Sequence, residues 1–354
     1  MDLSHYFSTF ERRDWQRIEE GRVRLALVGL GGFARERALP AIRRSTFCEA
    51  TVLVSGSPET ADDLAREFDV EHVLGYDEFE DGTASDAYDG VYVATPPNHH
   101  EAYACAAADL GKHVLCEKPL AAEPSAAERM VEHCANAGVV LMTAYRLRTE
   151  PAIRRTRELI ADGVIGKPLQ IHGGFSVTLL EDVGPDTWRL DPEVAGGGAL
   201  IDLGIYPLNT VRFLLDADPI TVMAETHTEG PPFDRVDEHV AVQLTFPNGV
   251  TASCTASFDA HPDSRLRILG SDGQVLLTEP FGGDVSQRIL VEHGNTQTRY
   301  TGSPVDEVRE EFDYFAHTVL AAVEDGPDGS DGLTDMRTIA AAYESAETGN
   351  RIEL

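Results

Sequence analysis

The sequence predicts an α/β N-terminal domain with a doubly wound parallel sheet, followed by an α+β C-terminal domain with a mostly antiparallel open sheet. From residue 23 to about 142, short apolar runs alternate with helical patterns, and a glycine-rich loop directly follows the first run. After about residue 148, period-two strand patterns separated by turn residues replace this alternation. We therefore expect an N-terminal arm at 1–22, a Rossmann domain at 23–147 and a second domain at 148–354.

The elements of the first domain follow from Val- and Leu-rich runs, which are typical of strands buried on both faces of a parallel sheet. Strands are predicted at 24–30, 49–56, 90–95, 113–118 and 139–144, and helices at 59–68, 98–109 and 124–137.

The second domain is predicted to begin with a helix at 151–162. Strand patterns follow around 169–180, 218–230, 237–249, 250–260, 264–273 and 274–280, and helices at about 306–323 and 334–347 close the chain. The turn residues Pro247-Asn248-Gly249 and Ser271-Asp272-Gly273 separate adjacent runs, as in antiparallel hairpins.

The composition is strongly acidic. Lys and Arg number 29 against 60 Asp and Glu, which gives a formal net charge of −31, and only three of the cations are lysines. The electrostatic field of such a negative charge repels nucleic acid and anionic membranes, so neither is expected as a partner. The acidic composition indicates adaptation to high salt, because at an ionic strength of 1 M the Debye length is about 3 Å and repulsion between surface carboxylates is screened.

The sequence shows no pattern typical of a membrane segment, a secretion signal or a disulfide framework. No apolar run approaches the roughly 20 residues of a membrane helix, and the charged N-terminal residues contain no apolar core of a secretion signal. The five cysteines are odd in number and have no C-x-x-C spacing, so we expect reduced thiols without a disulfide framework or a zinc site. The sequence predicts a cytoplasmic globular protein.

The glycine-rich loop reads Gly29-Leu30-Gly31-Gly32-Phe33-Ala34, a G-x-G-x-x-A pattern that opens a helix. Gly29 permits the tight turn, Gly31 lets the backbone approach a pyrophosphate at the positive end of the helix, and Ala34 allows close helix–strand packing. In the first βα turn of a doubly wound domain, this pattern predicts a dinucleotide site.

The end of the second predicted strand distinguishes between the two nicotinamide dinucleotides. An Asp or Glu there would bind the ribose 2′-hydroxyl of NAD, but this chain has Val54-Ser55-Gly56-Ser57. Ser55 and Ser57 can donate hydrogen bonds to a 2′-phosphate, and Arg35 or Arg37 can neutralise it. We therefore expect NADP as the cofactor.

Further motifs run along nearly the whole chain. They are Ala94-Thr95-Pro96-Pro97-Asn98-His99-His100, Gly111-Lys112-His113-Val114, Cys116-Glu117-Lys118-Pro119, Ala144-Tyr145-Arg146, Trp188-Arg189-Leu190, GGGALIDLGIY at 196–206 and Ser345-Ala346-Glu347-Thr348-Gly349. By this combination, and by its E-K-P signature above all, the chain resembles the oxidoreductase family named for glucose-fructose oxidoreductase and inositol dehydrogenase.

One position points to a branch of this family. Its commonest second signature is D-x-x-x-H with the histidine as base; here the spacing holds from Asp202 but ends in Tyr206. Tyrosine at this place resembles glucose-fructose oxidoreductase, dimeric dihydrodiol dehydrogenases and NADP-dependent D-xylose 1-dehydrogenases. That branch often has a Lys shortly after the Ser-Gly tip, where this chain has Thr60, so the serines and an arginine are expected to take the 2′-phosphate.

The resemblance implies catalytic roles for three residues. Oxidation of a sugar hemiacetal removes a hydroxyl proton and passes a hydride to the nicotinamide, and Tyr206 would be the base. Because a free tyrosine has a pKa of about 10, a nearby ammonium is needed to stabilise the phenolate, and Lys118 is the implied partner. Asp202, four residues before Tyr206 and on the same helix face, would anchor and orient the substrate hydroxyl.

The remaining candidate residues surround the cofactor and the substrate. Those expected at the cofactor are Gly29, Gly31, Gly32, Phe33, Arg35, Ser55, Ser57, Thr95, Pro96, Asn98, His99, Glu117, Lys118, Trp188 and Arg189. Those expected at the substrate are Lys118, Tyr145, Arg146, Asp202 and Tyr206. No metal is expected at His99 and His100, because adjacent helical residues point apart and no further ligand spacing completes a site.

These features predict an NADP-dependent aldose 1-dehydrogenase that acts on a small neutral sugar, with D-xylose as the best single substrate. Other aldoses, anhydro sugars, trans-dihydrodiols and other polyols stay open as substrates, as does a regulator that binds the dinucleotide without catalysis. The presence of both Lys118 and Tyr206 favours the enzyme. Alternating apolar residues on several strands predict a homodimer or homotetramer formed through the C-terminal sheet.

Overall fold

The computed structural model describes residues 3–8, 12–283, 287–323 and 326–354. They form two compact units. The parallel-sheet unit consists of the described residues of Trp15–Arg146 and Asp306–Met336. The antiparallel-sheet unit consists of the described residues of Met1–Asp14, Leu147–Val305 and Arg337–Leu354.

The strands and helices are numbered along the chain. The strands are β1 Val23–Val28, β2 Cys48–Val54, β3 His72–Leu74, β4 Gly90–Val93, β5 His113–Glu117, β6 Leu141–Ala144, β7 Pro168–Thr178, β8 Thr221–His227, β9 His239–Thr245, β10 Thr251–Ser257, β11 Asp259–Gly270, β12 Gly273–Thr278, β13 Arg288–His293, β14 Thr296–Thr301 and β15 Ile352–Glu353. The helices are α1 Leu3–Ser8, α2 Leu39–Arg44, α3 Pro58–Phe68, α4 Tyr76–Glu80, α5 His100–Asp109, α6 Pro124–Ala137, α7 Pro151–Ala161, α8 Leu179–Val183, α9 Pro192–Ala195, α10 Ile205–Leu215, α11 Glu307–Ala321 and α12 Gly329–Thr348.

The parallel-sheet unit is built on six strands in the order β3-β2-β1-β4-β5-β6, with every neighbouring pair parallel. All residues of β4 and β6 and all but one of β1 are buried. This burial on both faces explains why these strands are continuous apolar runs in the sequence. The doubly wound fold predicted for the first domain is confirmed.

Helix α11 also belongs to the parallel-sheet unit. Phe312 and Phe315 are fully buried in its core, and the Phe312 ring meets the Tyr92 ring edge-on with centroids 5.0 Å apart. The sequence pattern predicts all of 148–354 in the second domain, whereas the described residues of Asp306–Met336 pack with the parallel-sheet unit. The apolar stripe of a helix predicts that one face is buried, but it does not identify the sheet that the helix covers.

The antiparallel-sheet unit contains nine strands in the order β14-β13-β12-β11-β7-β10-β9-β8-β15. Only β7 and β10 pair in parallel; the other neighbours are antiparallel. Burial alternates along β9 and β13, so one face of these strands is covered and the other is more exposed. The mostly antiparallel sheet predicted for the second domain is confirmed.

The N-terminal arm is divided between the two units. In the antiparallel-sheet unit, the Phe7 ring stacks on Tyr300 at 4.8 Å. In the parallel-sheet unit, Trp15 is buried against Tyr314, with ring centroids 5.0 Å apart. Residues 1, 2 and 9–11 of the predicted arm lie outside the described residues.

No described helix is both long and apolar enough to span a bilayer. The five cysteines are free thiols, of which four are buried and Cys105 is half-buried.

Candidate active site

The glycine loop begins with a residue that only glycine can occupy. Gly29 has a φ of +94°, and a Cβ atom there would lie 2.9 Å from the carbonyl group of Ala94 and from Cγ2 of Thr95. The Gly29 N–H donates to the Val54 carbonyl at 3.1 Å. The loop is therefore held against the ends of β2 and β4.

The next glycines face open space. A Cβ atom at Gly31 or Gly32 would meet nothing within 4 Å, and the Phe33 side chain is 36% exposed. The Arg35 N–H donates to the Gly31 carbonyl at 3.1 Å, and a π-helical turn at Ala34–Ala38 continues into α2. A bare backbone at the start of a helix fits the phosphates of a dinucleotide, because side chains at these positions would fill the space.

The end of β2 presents two serines in different settings. Ser55 is 8% exposed, and its Oγ accepts from the Ser57 N–H at 3.1 Å. The Ser57 hydroxyl is exposed and lies 3.1 Å from Oγ1 of Thr60. Thr60, which stands where the branch often has a lysine, therefore adds a third hydroxyl beside Ser57.

The end of β5 carries Glu117 and Lys118. Tyr92, from β4, donates its hydroxyl to Oε1 of Glu117 at 2.6 Å, and the Lys118 N–H donates to Oε2 at 3.2 Å. Burial raises the pKa of Glu117, although these hydrogen bonds and the charges of Lys118 and Arg146 act in the opposite direction. Glu117 is thus tied to the backbone of the lysine that follows it.

A group of carboxylates from α11 lies in the same unit. Arg146 donates its Nε to Oε2 of Glu307 at 3.1 Å, and Glu307 and Glu311 are each 2% exposed. Among the described residues, Oε1 of Glu311 has no hydrogen-bond partner. Burial, followed by repulsion from Glu117, raises the pKa of Glu311 well above its usual range.

His100 connects the ends of β4 and β5. Its Nε2 lies 2.8 Å from the Thr95 carbonyl, and its Nδ1 lies 3.1 Å from the Pro119 carbonyl and 3.2 Å from that of Leu120. The ring is fully buried, and burial lowers the pKa of His100. His100 therefore holds the segment that follows Lys118.

The other predicted residues of the parallel-sheet unit differ in exposure. Asn98 and His99 are exposed, Pro96 is half-buried, and Thr95 and Tyr145 are buried at 8% and 5% exposure. No group of three or more His, Cys, Asp or Glu side chains among the described residues is arranged to hold a metal ion.

The antiparallel-sheet unit contains Asp202 and Tyr206. A π-helical turn at Leu200–Gly204 carries Asp202 and continues directly into α10, where Tyr206 is the second residue. The Arg189 Nε donates to Oδ2 of Asp202 at 3.0 Å, and the Arg189 guanidinium lies over the Trp188 ring at 4.4 Å. Trp188 and Arg189, predicted at the cofactor, thus share one unit with Asp202.

The Tyr206 ring rests on two phenylalanines. Phe175, from β7, meets it edge-on with centroids 5.5 Å apart, and Phe281 lies 6.4 Å away. The ring is half-buried, so this aromatic contact leaves part of the side chain accessible.

Several residues that shape these sites were not found by the sequence analysis. Tyr92 was included only as part of an apolar strand, and Glu307 and Glu311 only as part of a helix. Two features of the sequence could have indicated these residues. Tyr92 interrupts an otherwise aliphatic buried strand, and the two glutamates lie four residues apart on one helix face. Their partners, however, come from distant parts of the chain.

Comparison with protein families identifies the class. Residues 23–145 match the oxidoreductase family with an NAD-binding Rossmann fold, and residues 153–276 match the GFO/IDH/MocA C-terminal domain. The chain belongs to the GFO/IDH/MocA oxidoreductase family, which confirms the family predicted from its motifs.

Two relatives cover the chain almost completely. The D-xylose 1-dehydrogenase [NADP(+)] of Haloarcula marismortui is 46% identical over 359 residues, which is 100% of both chains. A D-xylose 1-dehydrogenase (NADP(+)) of Haloferax volcanii is 32% identical and covers 93% of this chain and 98% of its own. The halophilic source of the Haloarcula relative agrees with the predicted adaptation to salt.

Solved structures share the fold over most of the chain. An aldose-aldose oxidoreductase from Caulobacter crescentus, complexed with glycerol, superposes with a TM-score of 0.89 at 31% identity and covers 94% of this chain and 100% of its own. A 3-ketoreductase from Actinomadura kijaniata, in complex with NADP and TDP-benzene, gives 0.82 at 27% identity, with 92% and 98% covered.

Proposed function

We propose that this protein is an NADP-dependent aldose 1-dehydrogenase that oxidises a sugar hemiacetal, D-xylose in the first place, to its lactone. The observation that carries this proposal is the 46% identity, over the full length of both chains, to a D-xylose 1-dehydrogenase [NADP(+)]. The chain also has Lys118, Asp202 and Tyr206, the residues to which we assign the catalytic roles.

The cofactor site is assigned to the glycine loop and the end of β2. The open backbone at Gly31 and Gly32 takes the pyrophosphate, and Ser55, Ser57 and Arg35 bind the 2′-phosphate. No carboxylate stands at the end of β2 to repel that phosphate. NADP, when bound, supplies the nicotinamide that accepts the hydride from C1 of the sugar.

Tyr206 is the general base in this proposal. Its phenolate accepts the proton of the sugar 1-hydroxyl, and the ammonium of Lys118 stabilises the phenolate by charge. Phe175 and Phe281 fix the ring of Tyr206 by packing, so the oxygen is presented in a restricted set of positions.

Asp202 binds a neighbouring sugar hydroxyl as a hydrogen-bond acceptor. The bond from Arg189 at 3.0 Å holds its carboxylate in one orientation before substrate arrives. A carboxylate that is already oriented loses less conformational freedom on binding, which favours productive placement of C1.

The test of the function is a substrate panel in molar KCl, with pentoses, hexoses, anhydro sugars and dihydrodiols, each with NADP and NAD, followed by nicotinamide absorbance. We expect D-xylose with NADP to give the highest kcat/KM. Tyr206→Phe should lower kcat by roughly 10² to 10⁴, while Tyr300→Phe, in the same unit, serves as the matched control. A Tyr206→Phe variant that retains more than half of the activity contradicts the assignment of the base.

The cofactor assignment has its own test. Ser55→Asp places a carboxylate beside the 2′-phosphate, and this like-charge contact should shift preference from NADP towards NAD. Equal kcat/KM values for NADP and NAD in the unmodified protein would overturn the assignment.

Subunit assembly and location belong to the same proposal. We assign a homodimer or homotetramer contact to the exposed face of β8–β10, which presents Met223, Ala241 and Thr255. Light scattering in molar KCl measures the assembly, and Ala241→Glu should weaken it because the substitution adds a negative charge to a self-associating face.

For the location of the protein in the cell, we propose the cytoplasm. The five free cysteines agree with a reducing, cytoplasmic location.

A further inference from the structure

The helix that carries Asp202 and Tyr206 has no cap from its own segment. The residue before its π-helical turn is Ala199, whose methyl group cannot accept a hydrogen bond. The first N–H groups of a helix have no partner inside the helix, so acceptors must come from elsewhere. In this protein they come from two residues far along the chain.

Asp237, in the loop before β9, supplies three acceptors. Its Oδ1 accepts from the Gly198 N–H at 2.8 Å, and its Oδ2 accepts from the Leu200 N–H at 2.7 Å. Its backbone carbonyl accepts from the Ala199 N–H, also at 2.8 Å. Three consecutive backbone amides therefore donate hydrogen bonds to Asp237, and the negative charge of Asp237 lies at the positive end of the helix dipole.

Tyr343, from α12, holds Asp237 in place. Its hydroxyl donates to Oδ1 of Asp237 at 2.8 Å and accepts from the Gly198 N–H at 3.3 Å. The turn has no room for larger residues: a Cβ atom at Gly197 would lie 2.2 Å from the Tyr343 hydroxyl oxygen, and one at Gly198 would lie 2.2 Å from the Asp237 carbonyl oxygen. The glycines of this turn thus allow Asp237 and Tyr343 to approach the backbone directly.

We propose that Asp237 and Tyr343 are positioning residues for catalysis, because they fix the start of the helix that places Asp202 and Tyr206. The proposal rests on the proposed function, in which Tyr206 is the base. Asp237 binds backbone amides, so it acts on the reaction only through this helix. A displacement of a catalytic group by about 1 Å can lower a rate about 10²-fold, which gives the size of effect that such a contact controls.

The experiment compares Asp237→Asn with Glu238→Gln. Glu238, the next residue, is also a buried carboxylate that accepts a backbone N–H, at 2.8 Å, but its donor is Glu229, outside the helix start. Both substitutions are isosteric and remove one charge. Tyr343→Phe, which removes only the hydroxyl, forms the second arm.

Three quantities are measured in molar KCl: kcat, the KM for NADP, and the hydrogen-exchange rates of the amides at 198–206. For Asp237→Asn we expect kcat to fall about tenfold or more, an unchanged KM for NADP, and faster exchange at these amides. Tyr343→Phe should change kcat and exchange in the same direction and by less. Glu238→Gln should leave kcat and these exchange rates near those of the unmodified protein.

Two results overturn the proposal. One is a kcat for Asp237→Asn that matches the kcat of Glu238→Gln; the other is exchange at 198–206 that does not change. A failure of the proposed function is distinguishable, because it removes aldose oxidation from the unmodified protein. The exchange rates then still decide whether Asp237 holds the helix start.

Discussion

The candidate site residues of the two units are positioned in different ways. In the parallel-sheet unit they lie in segments that directly follow strands, such as the glycine loop after β1 and Glu117-Lys118 at the end of β5. In the antiparallel-sheet unit, Asp202 and Tyr206 lie on a helix whose start is bonded to Asp237 and Tyr343. Both arrangements begin with a short sequence motif and are supported by contacts between distant residues, such as Tyr92 with Glu117 in the first. Only the second depends on a helix whose first amides are bonded to a residue far along the chain.

The largest expected effect concerns the lysine of the contiguous motif. Lys118→Ala removes the charge that is proposed to stabilise the Tyr206 phenolate, so kcat should fall by about 10² to 10⁴, at least as much as in Tyr206→Phe. Lys112→Ala is the matched control, since Lys112 lies 5.3 Å over the Tyr88 ring in the same unit and has no proposed role in the reaction. Steady-state kinetics with D-xylose and NADP measure both variants.

The double variant Lys118→Ala/Tyr206→Phe sharpens this prediction. If the two side chains act as a pair, the double variant should lose little more kcat than either single variant. Losses that simply add would show that Lys118 and Tyr206 act separately. A kcat for Lys118→Ala close to that of Lys112→Ala would remove Lys118 from the reaction.

The second prediction separates cofactor binding from folding within the glycine loop. Gly31→Ala meets no protein atom within 4 Å, so the melting temperature should stay unchanged while the affinity for NADP falls about tenfold or more. Gly29→Ala forces a side chain into a φ of +94° and a contact of 2.9 Å, so it should cost about 1–3 kcal/mol of stability. Thermal unfolding and fluorescence titration with NADP measure the two effects.

The opposite pattern would contradict this interpretation of the loop. If Gly31→Ala lowered the melting temperature, the open space at Gly31 would be filled by the protein itself. If Gly31→Ala bound NADP as tightly as the unmodified protein, the cofactor would not approach the loop at this residue.

The smallest expected effect concerns Glu311 and pH. Burial raises the pKa of Glu311, so the folded state holds this proton more tightly than the unfolded state. The free energy of unfolding therefore falls as pH rises from the ordinary carboxyl pKa of about 4.3 towards the raised pKa, by about 1.4 kcal/mol for each unit of the difference. Glutamine does not titrate, so in Glu311→Gln this contribution to the pH dependence of the free energy of unfolding should be lost.

Melting temperatures between about pH 5 and pH 9 test the prediction for Glu311. The Glu311→Gln variant should gain stability relative to the unmodified protein as pH rises, by about 2–4 °C per kcal/mol. Glu310→Gln, which alters the neighbouring buried carboxyl, is the control and should keep the pH dependence. Parallel curves for Glu311→Gln and the unmodified protein would show that Glu311 does not hold a proton in the folded state.

The sequence was sufficient for most of the fold. Buried strands such as β1 and β4 are continuous apolar runs, and turn residues such as Pro247-Asn248-Gly249 separate β9 from β10. It missed β3, β15 and the β13–β14 hairpin. Two of these strands are only three and two residues long, and β14 reads TQTRYT, which has no apolar face to detect.

The site could be predicted from the sequence only where its residues are close together along the chain. The motifs around Gly31 and Lys118 were visible because their residues are adjacent in sequence. The contacts of Glu117 with Tyr92 and of Leu200 with Asp237 join residues at least 25 positions apart, and no period or spacing encodes them. Such pairings become visible only when the sheets and helices are in place.

The return of Asp306–Met336 to the parallel-sheet unit has a consequence during protein synthesis. The ribosome completes β1 to β6 first, then makes all of Leu147–Val305 before it produces the α11 residues Phe312 and Phe315 that fill the first core. The parallel sheet therefore remains uncovered on that side while the other unit emerges, and a nascent chain that stalls in this interval exposes apolar surface around Tyr92. The unit begun first is finished only at Met336, and Arg337–Leu354 then completes the second.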